Sequence, residues 1–166
     1  SLSIRRLAAE LLLEEVGNES NQEAFYRQLI WRDFSYYTLV HFPELTEEPL
    51  RDNFNYFPWR NEPAELIAWK KGQTGYPFVD AAMRELWQTG YMHNRARMVV
   101  GSFLVKHLLI DWKIGYAWFE ETLIDFDPAN NAMGWQWVTG SGIDSSPFFR
   151  VFNPLLQSEK FDPLAK

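Results

Sequence analysis

The chain has no cysteine. Disulfides, thiolate metal sites and cysteine nucleophiles are therefore excluded, and a reducing, cytoplasmic setting is the expectation. No run of about 18 apolar residues is present, so no transmembrane helix is expected. The first residues show no basic-then-apolar signal pattern. β-Branched runs bounded by hairpin turns are missing as well. Histidine is sparse, with 3 in 166 residues; His41, His93 and His107 show no pairing pattern and read as structural, and no metal site is expected. Positive charge is in deficit, leaving a net −6. A whole-surface nucleic-acid binder is usually basic, so any contact with DNA has to run through a local basic patch, with an affinity that falls with salt according to the few phosphates contacted.

What the chain does have is aromatic side chains: 8 Trp, 7 Tyr and 13 Phe, or 17% of residues. Aromatics fill cores, stack on bases or hold planar cofactors. Hydrophobic content of 46% supports a real core, and the length fits one domain.

The pattern is helix after helix, an all-α fold. Ser3 caps a helix to about Glu15, ended by Gly17. Ser20-Asn-Gln-Glu23 is a capping box opening a helix to about His41. Residues 43–61 read as a long surface loop holding Phe57, Pro58 and Trp59. Helices follow at 62–71, closed by Gly72, and at 77–89, closed by Gly90. Asn94 caps a helix over 95–110 that is apolar almost all round and hence central. Its first turn carries Arg95 and Arg97, which point to different sides; if both are functional, they serve different partners. A helix at about 115–124 comes next. Residues 139–166 read as irregular, with a turn after Asn153-Pro154.

The densest chemistry lies in Asp125-Phe-Asp-Pro-Ala-Asn-Asn-Ala-Met-Gly-Trp-Gln-Trp137. Asp127 before Pro128 reads as an N-cap plus first-turn proline. Asn131 and Trp135 then fall on one face. A carboxylate, an amide and an indole at a helix start suit a polar aromatic ligand that exchanges electrons; an ordinary cap followed by core tryptophans is the plainer alternative.

Six segments agree further: Gln28-Leu-Ile-Trp-Arg-Asp33, Thr74-Gly-Tyr-Pro-Phe-Val-Asp-Ala-Ala-Met83, Met92-His-Asn-Arg-Ala-Arg-Met98, Leu109-Ile-Asp-Trp112, the Asp125–Trp137 stretch, and Phe149-Arg-Val-Phe-Asn-Pro154 with Glu159-Lys-Phe-Asp162. In this order they resemble the helical flavin-binding domain of the DNA photolyase/cryptochrome family, over about residues 22–163. The resemblance implies an all-helical domain holding FAD in a cavity. It also implies a light-driven lyase, in which reduced flavin gives an electron to a pyrimidine dimer flipped out of DNA and recovers it after the cyclobutane ring splits.

The resemblance implies site residues one at a time. Asn131 matches the position facing the flavin N5. Asp125, Phe126 and Asp127 match positions lining the ring and ribose, and Arg97 matches an arginine paired with Asp125. A buried Arg beside a helix start needs a carboxylate in any case. Phe25 matches a cofactor-contacting aromatic. Trp135, Trp112 and Trp59 match the relay that photoreduces flavin. On the DNA side stand Gln28, Trp31, Arg32, Asn94, Arg95, Met98, Trp137, Arg150 and Gln157. Trp31 and Trp137 flank the extruded dimer, and Arg32, Arg95 and Arg150 form the local phosphate patch. Asn94 and Met98 stand where photolyases acting on (6-4) lesions carry histidines, which favours cyclobutane dimers. Gln28 stands where cyclobutane photolyases typically carry a glutamate.

Family members carry an α/β antenna domain and a Ser/Thr-rich phosphate loop ahead of this region, and further helices after it. The chain is therefore expected to be part of a longer protein. It is expected to hold FAD weakly for want of phosphate contacts, and to associate through apolar surface left open. Two other readings stand beside repair: a cryptochrome-type photoreceptor, towards which Gln28 leans, and a folded helical domain with no activity of its own.

Overall fold

A computed structural model describes residues 3–13, 19–143, 145 and 151–161. Every regular element among them is helical, and no helix is long and apolar enough to cross a membrane. The chain divides into two compact units, Ser1–Pro43 and Glu44–Lys166.

In the first unit, α1 (Ile4–Leu13) packs on α2 (Glu19–His41). The Ser3 hydroxyl accepts from the Arg6 amide at 3.2 Å, the expected cap. The capping box at Ser20 is not realised. The backbone is already helical at Glu19, which puts Ser20 past the cap position. Gly17 lies outside the described residues. α2 ends just ahead of Pro43, which cannot donate to the helix.

The second unit holds α3 (Pro63–Lys71), α4 (Pro77–Thr89), α5 (Asn94–Ser102), α6 (Trp112–Thr122), α7 (Pro128–Thr139) and α8 (Pro154–Phe161). Four of these begin on a proline, whose fixed φ suits the first turn and whose missing N–H is no loss there. α4 stops at Gly90, in the left-handed region at φ 70°. A Cβ at Gly90 would also press on Ile124 at 2.5 Å, so glycine is required twice over. The turn before α4 is held by Asp80, which is buried. Its carboxylate accepts from the Thr74 amide and hydroxyl at 2.7 and 2.6 Å and from the Gly75 amide at 3.0 Å.

Three boundaries depart from the sequence reading. The cap of α5 is His93, whose Nδ1 accepts from the Arg95 amide at 3.1 Å; Asn94 is the first helical residue. The expected helix to residue 110 is broken, because the backbone widens into a π turn at Phe103–His107 and Leu109 then takes φ 53°. An all-round apolar pattern reports burial and is blind to this change of pitch. α6 begins at Trp112, earlier than expected, because Asp111 caps it through Lys113 N at 3.0 Å. Past residue 150, the single expected turn is a full helix, α8.

The segment after α2 is likewise more ordered than a surface loop. It forms 3₁₀ turns at Pro43–Thr46 and Asp52–Tyr56, and Leu45 is fully buried. Gln136 of α7, also fully buried, holds this segment. Its Nε2 donates to the Leu45 and Glu48 carbonyls, both at 2.8 Å, and its Oε1 accepts from the Leu50 amide at 2.9 Å. Replacing Gln136 by Leu strands one amide and two carbonyls. The expected loss is about 3 kcal/mol in urea unfolding; an unchanged midpoint would show that the segment is held by its apolar contacts instead.

Candidate functional site

A cavity of about 450 Å³ opens between α5, the segment after α6 and α7. From α7 come Asn131, Trp135 and Trp137, and from its cap and lead-in Asp125, Phe126 and Asp127. α5 adds Asn94, Arg97 and Met98. These nine were all singled out in the sequence, and the structure brings them to one place. Asn130, Gly134 and Val138 of α7, Gly101 of α5, and Phe119 and Leu123 of the α6 end complete the lining. Their only sequence signal is helical spacing: 130, 134 and 138 continue the stripe of 127, 131 and 135.

Local chemistry fixes each polar group. Asp127 caps α7, its Oδ1 accepting from the Asn130 amide at 2.8 Å and from Asn130 Nδ2 at 3.0 Å. Asn131 donates Nδ2 to the Tyr116 carbonyl of α6 at 3.2 Å. That commitment leaves the amide oxygen to receive a donor. Arg97 Nη2 donates to both carboxylate oxygens of Asp125 at 2.9 and 2.8 Å, and Nε donates to the Met92 carbonyl at 2.7 Å. The pair is less buried than the sequence implied, with side chains 25% and 49% exposed. At that exposure its contribution to folding is small, so its geometry serves the cavity more than the core. Gly134 leaves a gap in the wall: a Cβ placed there would meet nothing within 4 Å.

The indoles take three environments. Trp135 is buried, edge-on to Phe119 at 5.0 Å and to Trp69 at 6.4 Å, and its Nε1 has no acceptor among the described residues. Trp112 is buried against Tyr116 at 6.4 Å. Trp59 is half-buried on Phe57, with ring centroids 4.4 Å apart. Neither Trp112 nor Trp59 lines the cavity.

Two other expected residues of this unit, Arg95 and Gln157, do not line the cavity. Arg95 lies 5.5 Å from the Phe161 ring, whereas Arg97 pairs with Asp125. Gln157, on α8, has a buried Oε1 without a donor among the described residues. Phe25, Gln28, Trp31 and Arg32 belong to the other unit; α2 exposes all four, with Phe25, Gln28 and Arg32 on one face and Trp31 at its flank. Arg150 lies outside the described residues.

A family model described as the FAD binding domain of DNA photolyase matches residues 25–166. The chain belongs to this photolyase FAD-binding family. Among curated relatives, the deoxyribodipyrimidine photo-lyase of Agrobacterium fabrum is 60% identical over 83% of the chain, which covers 29% of that protein. Among solved structures, a bacterial class III photolyase from Agrobacterium tumefaciens superposes with a TM-score of 0.92 at 52% identity, over 98% of this chain and 34% of the other. A Synechocystis cryptochrome superposes at 0.88 and 40% identity, over 98% and 34%. The chain thus spans about a third of the length of the photolyase-family proteins it matches, and the all-α reading holds for the described residues.

Tyr116, behind Asn131, carries a pH signature. Burial, reinforced by the negative charges of Glu120 and Asp127, raises its phenol above the ordinary 10.0. The folded state therefore keeps this proton to higher pH than the unfolded chain, so stability is full below pH 10 and falls as pH rises beyond it. Tyr116→Phe is expected to remove that part of the alkaline decline, leaving a flatter stability curve above pH 10 in chemical denaturation; parallel curves would mean the phenol titrates alike in both states.

Proposed function

We propose that this chain is the flavin-binding catalytic region of a deoxyribodipyrimidine photolyase, which splits cyclobutane pyrimidine dimers in DNA with electrons from light-excited reduced FAD. The observation that carries the reading is the convergence of Asn131, Asp127, the Asp125–Arg97 pair, Trp135 and Trp137 on one cavity, in a chain 60% identical to a relative of that name.

The cavity suits a flavin ring. One rim is polar and the wall is apolar, Gly134 leaves open space beside α7, and the oxygen of Asn131 is left for an N–H donor because its Nδ2 is committed to the Tyr116 carbonyl. FAD, when bound, supplies the one-electron chemistry. The protein's part is to orient and to conduct. Asn131 and Asp127 fix the ring edge, Arg97 holds the Asp125 carboxylate in place, and Phe126 closes the rim. Trp59, Trp112 and Trp135 conduct electrons inward from the surface, a route that runs from the half-buried indole of Trp59 to the buried ones of Trp112 and Trp135. Trp137, stacked on Phe152 at 6.3 Å, together with Asn94 and Met98, forms the side towards an extruded pyrimidine dimer. Trp31, Gln28 and the cations Arg32, Arg95 and Arg150 complete the DNA surface in the whole protein. An antenna domain supplied in cis belongs to the same reading.

Arg97 is the sole cation among the described residues that line the cavity, and it is committed to Asp125. The cofactor's diphosphate therefore finds no charge-assisted partner here, and the isolated chain is expected to lose added FAD on gel filtration. A retained, structured flavin absorption band would contradict this.

In the full-length protein, light is expected to remove a thymine dimer from an oligonucleotide. Trp137→Ala is expected to weaken binding to dimer-containing DNA by about tenfold with flavin content unchanged. Trp112→Phe is expected to slow photoreduction while sparing repair by chemically reduced enzyme. The likeness to a cryptochrome supports a second reading, a photoreceptor; flavin photoreduction without loss of dimers would select it.

A further inference from the structure

A second cavity, of about 480 Å³, lies on another part of the same unit, between α3, α4 and α6. Three cations line it, Lys70, Lys71 and Arg84, with no carboxylate among its lining residues. That is unusual in a chain of net charge −6. None of the three is in an ion pair among the described residues. Arg84 spends one N–H on the Gly72 carbonyl at 2.8 Å, which fixes the guanidinium and leaves its other donors open.

Beside the cations stand two indoles. Trp87 and Trp118 are parallel, 4° apart in plane, with centroids 5.7 Å apart. Lys70 Nζ sits 4.4 Å from the Trp118 ring centre. Trp87 remains 68% exposed, a large cost for an indole that serves no core. An exposed, rigidly backed aromatic face next to unpaired cations is what stacking recognition of a base with its phosphate requires. The side-chain amides of Gln73 and Gln88 also line the cavity and can read a base edge. None of these residues belongs to the cavity described above.

We infer that this cleft binds a nucleotide unit, its base stacked on Trp87 and its phosphate held by Lys70, Lys71 and Arg84. The proposal does not depend on flavin or on photolyase activity. The unit could be a free mononucleotide or one residue of a single strand, and the chemistry is the same for both.

The test uses the purified chain, with fluorescein-labelled oligothymidylate about eight nucleotides long followed by anisotropy, and thymidine monophosphate followed by calorimetry. Saturable binding is expected, weakened at least about tenfold by Trp87→Ala, since one lost stack is worth that much. It should also be weakened, with a shallower salt dependence, by Lys71→Gln. Both side chains are exposed, so the fold is expected to survive; circular dichroism of each variant checks this. Tyr56→Ala, at an exposed residue outside both cavities, should leave the binding unchanged. An oligonucleotide bound far more tightly than the monophosphate identifies a strand; equal affinities identify a free nucleotide. No saturable binding of either probe, or binding that Trp87→Ala leaves intact, overturns the proposal.

Discussion

The structure of the larger unit depends on how closely α6 and α7 approach. Gly115 makes that approach possible. A Cβ at this position would fall within 2.6 Å of Cζ2 and Cζ3 of Trp135, closer than atoms pack. With no side chain in the way, the Trp135 indole lies against the α6 backbone. Asn131, one turn earlier on α7, then reaches the Tyr116 carbonyl of α6, and Asp127, one turn earlier again, caps the helix at the cavity mouth. One small residue on α6 thus places three functional groups of α7 that are four residues apart. A methyl group there would act on all three through the helix that carries them.

Polar side chains tie the remaining segments to this pair. Gln136 spans the segment after α2, and Asp80 closes the turn before α4. Lys106, in the π turn, donates to the Thr139 carbonyl at 2.6 Å, and burial lowers its pKa. Gln136 and Lys106 are satisfied by backbone atoms from distant sequence, and Asp80 by the Thr74–Gly75 turn just ahead of its helix. Such contacts are costly to leave unmade, so they specify one arrangement of the helices where apolar packing alone would tolerate several.

The sequence was most legible where local rules coincide with function. Asp127-Pro128 announces a helix start, and the i, i+4 spacing of Asn131 and Trp135 puts them on one face; both hold. The helices closed by Gly72 and Gly90 were equally plain. Less legible were features set by distant partners. The π turn at Phe103–His107 sits inside an apolar run that reads as continuous helix, and the ordering of residues 43–56 by Gln136 rests on an amide some 86 residues away from Leu50. His93 displaced Asn94 as cap because an imidazole nitrogen can accept the same bond. The second cleft has no sequence signature. Lys70 and Lys71 suit the last turn of any helix, and Trp87 and Trp118 lie on different helices with no motif between them.

Residues 135, 136 and 137 point three ways from α7: an indole into the core, an amide into the backbone of the segment after α2, and a second indole to the cavity edge. Successive helical residues are rotated by about 100°, so three consecutive side chains sweep most of the helix circumference. The stretch is therefore written in a single reading frame. Gain or loss of one residue within α7 would turn every later side chain by that angle and exchange all three destinations together. Length change is closed to this helix as a route of divergence, and related chains can explore it only by exchanging one side chain for another in place.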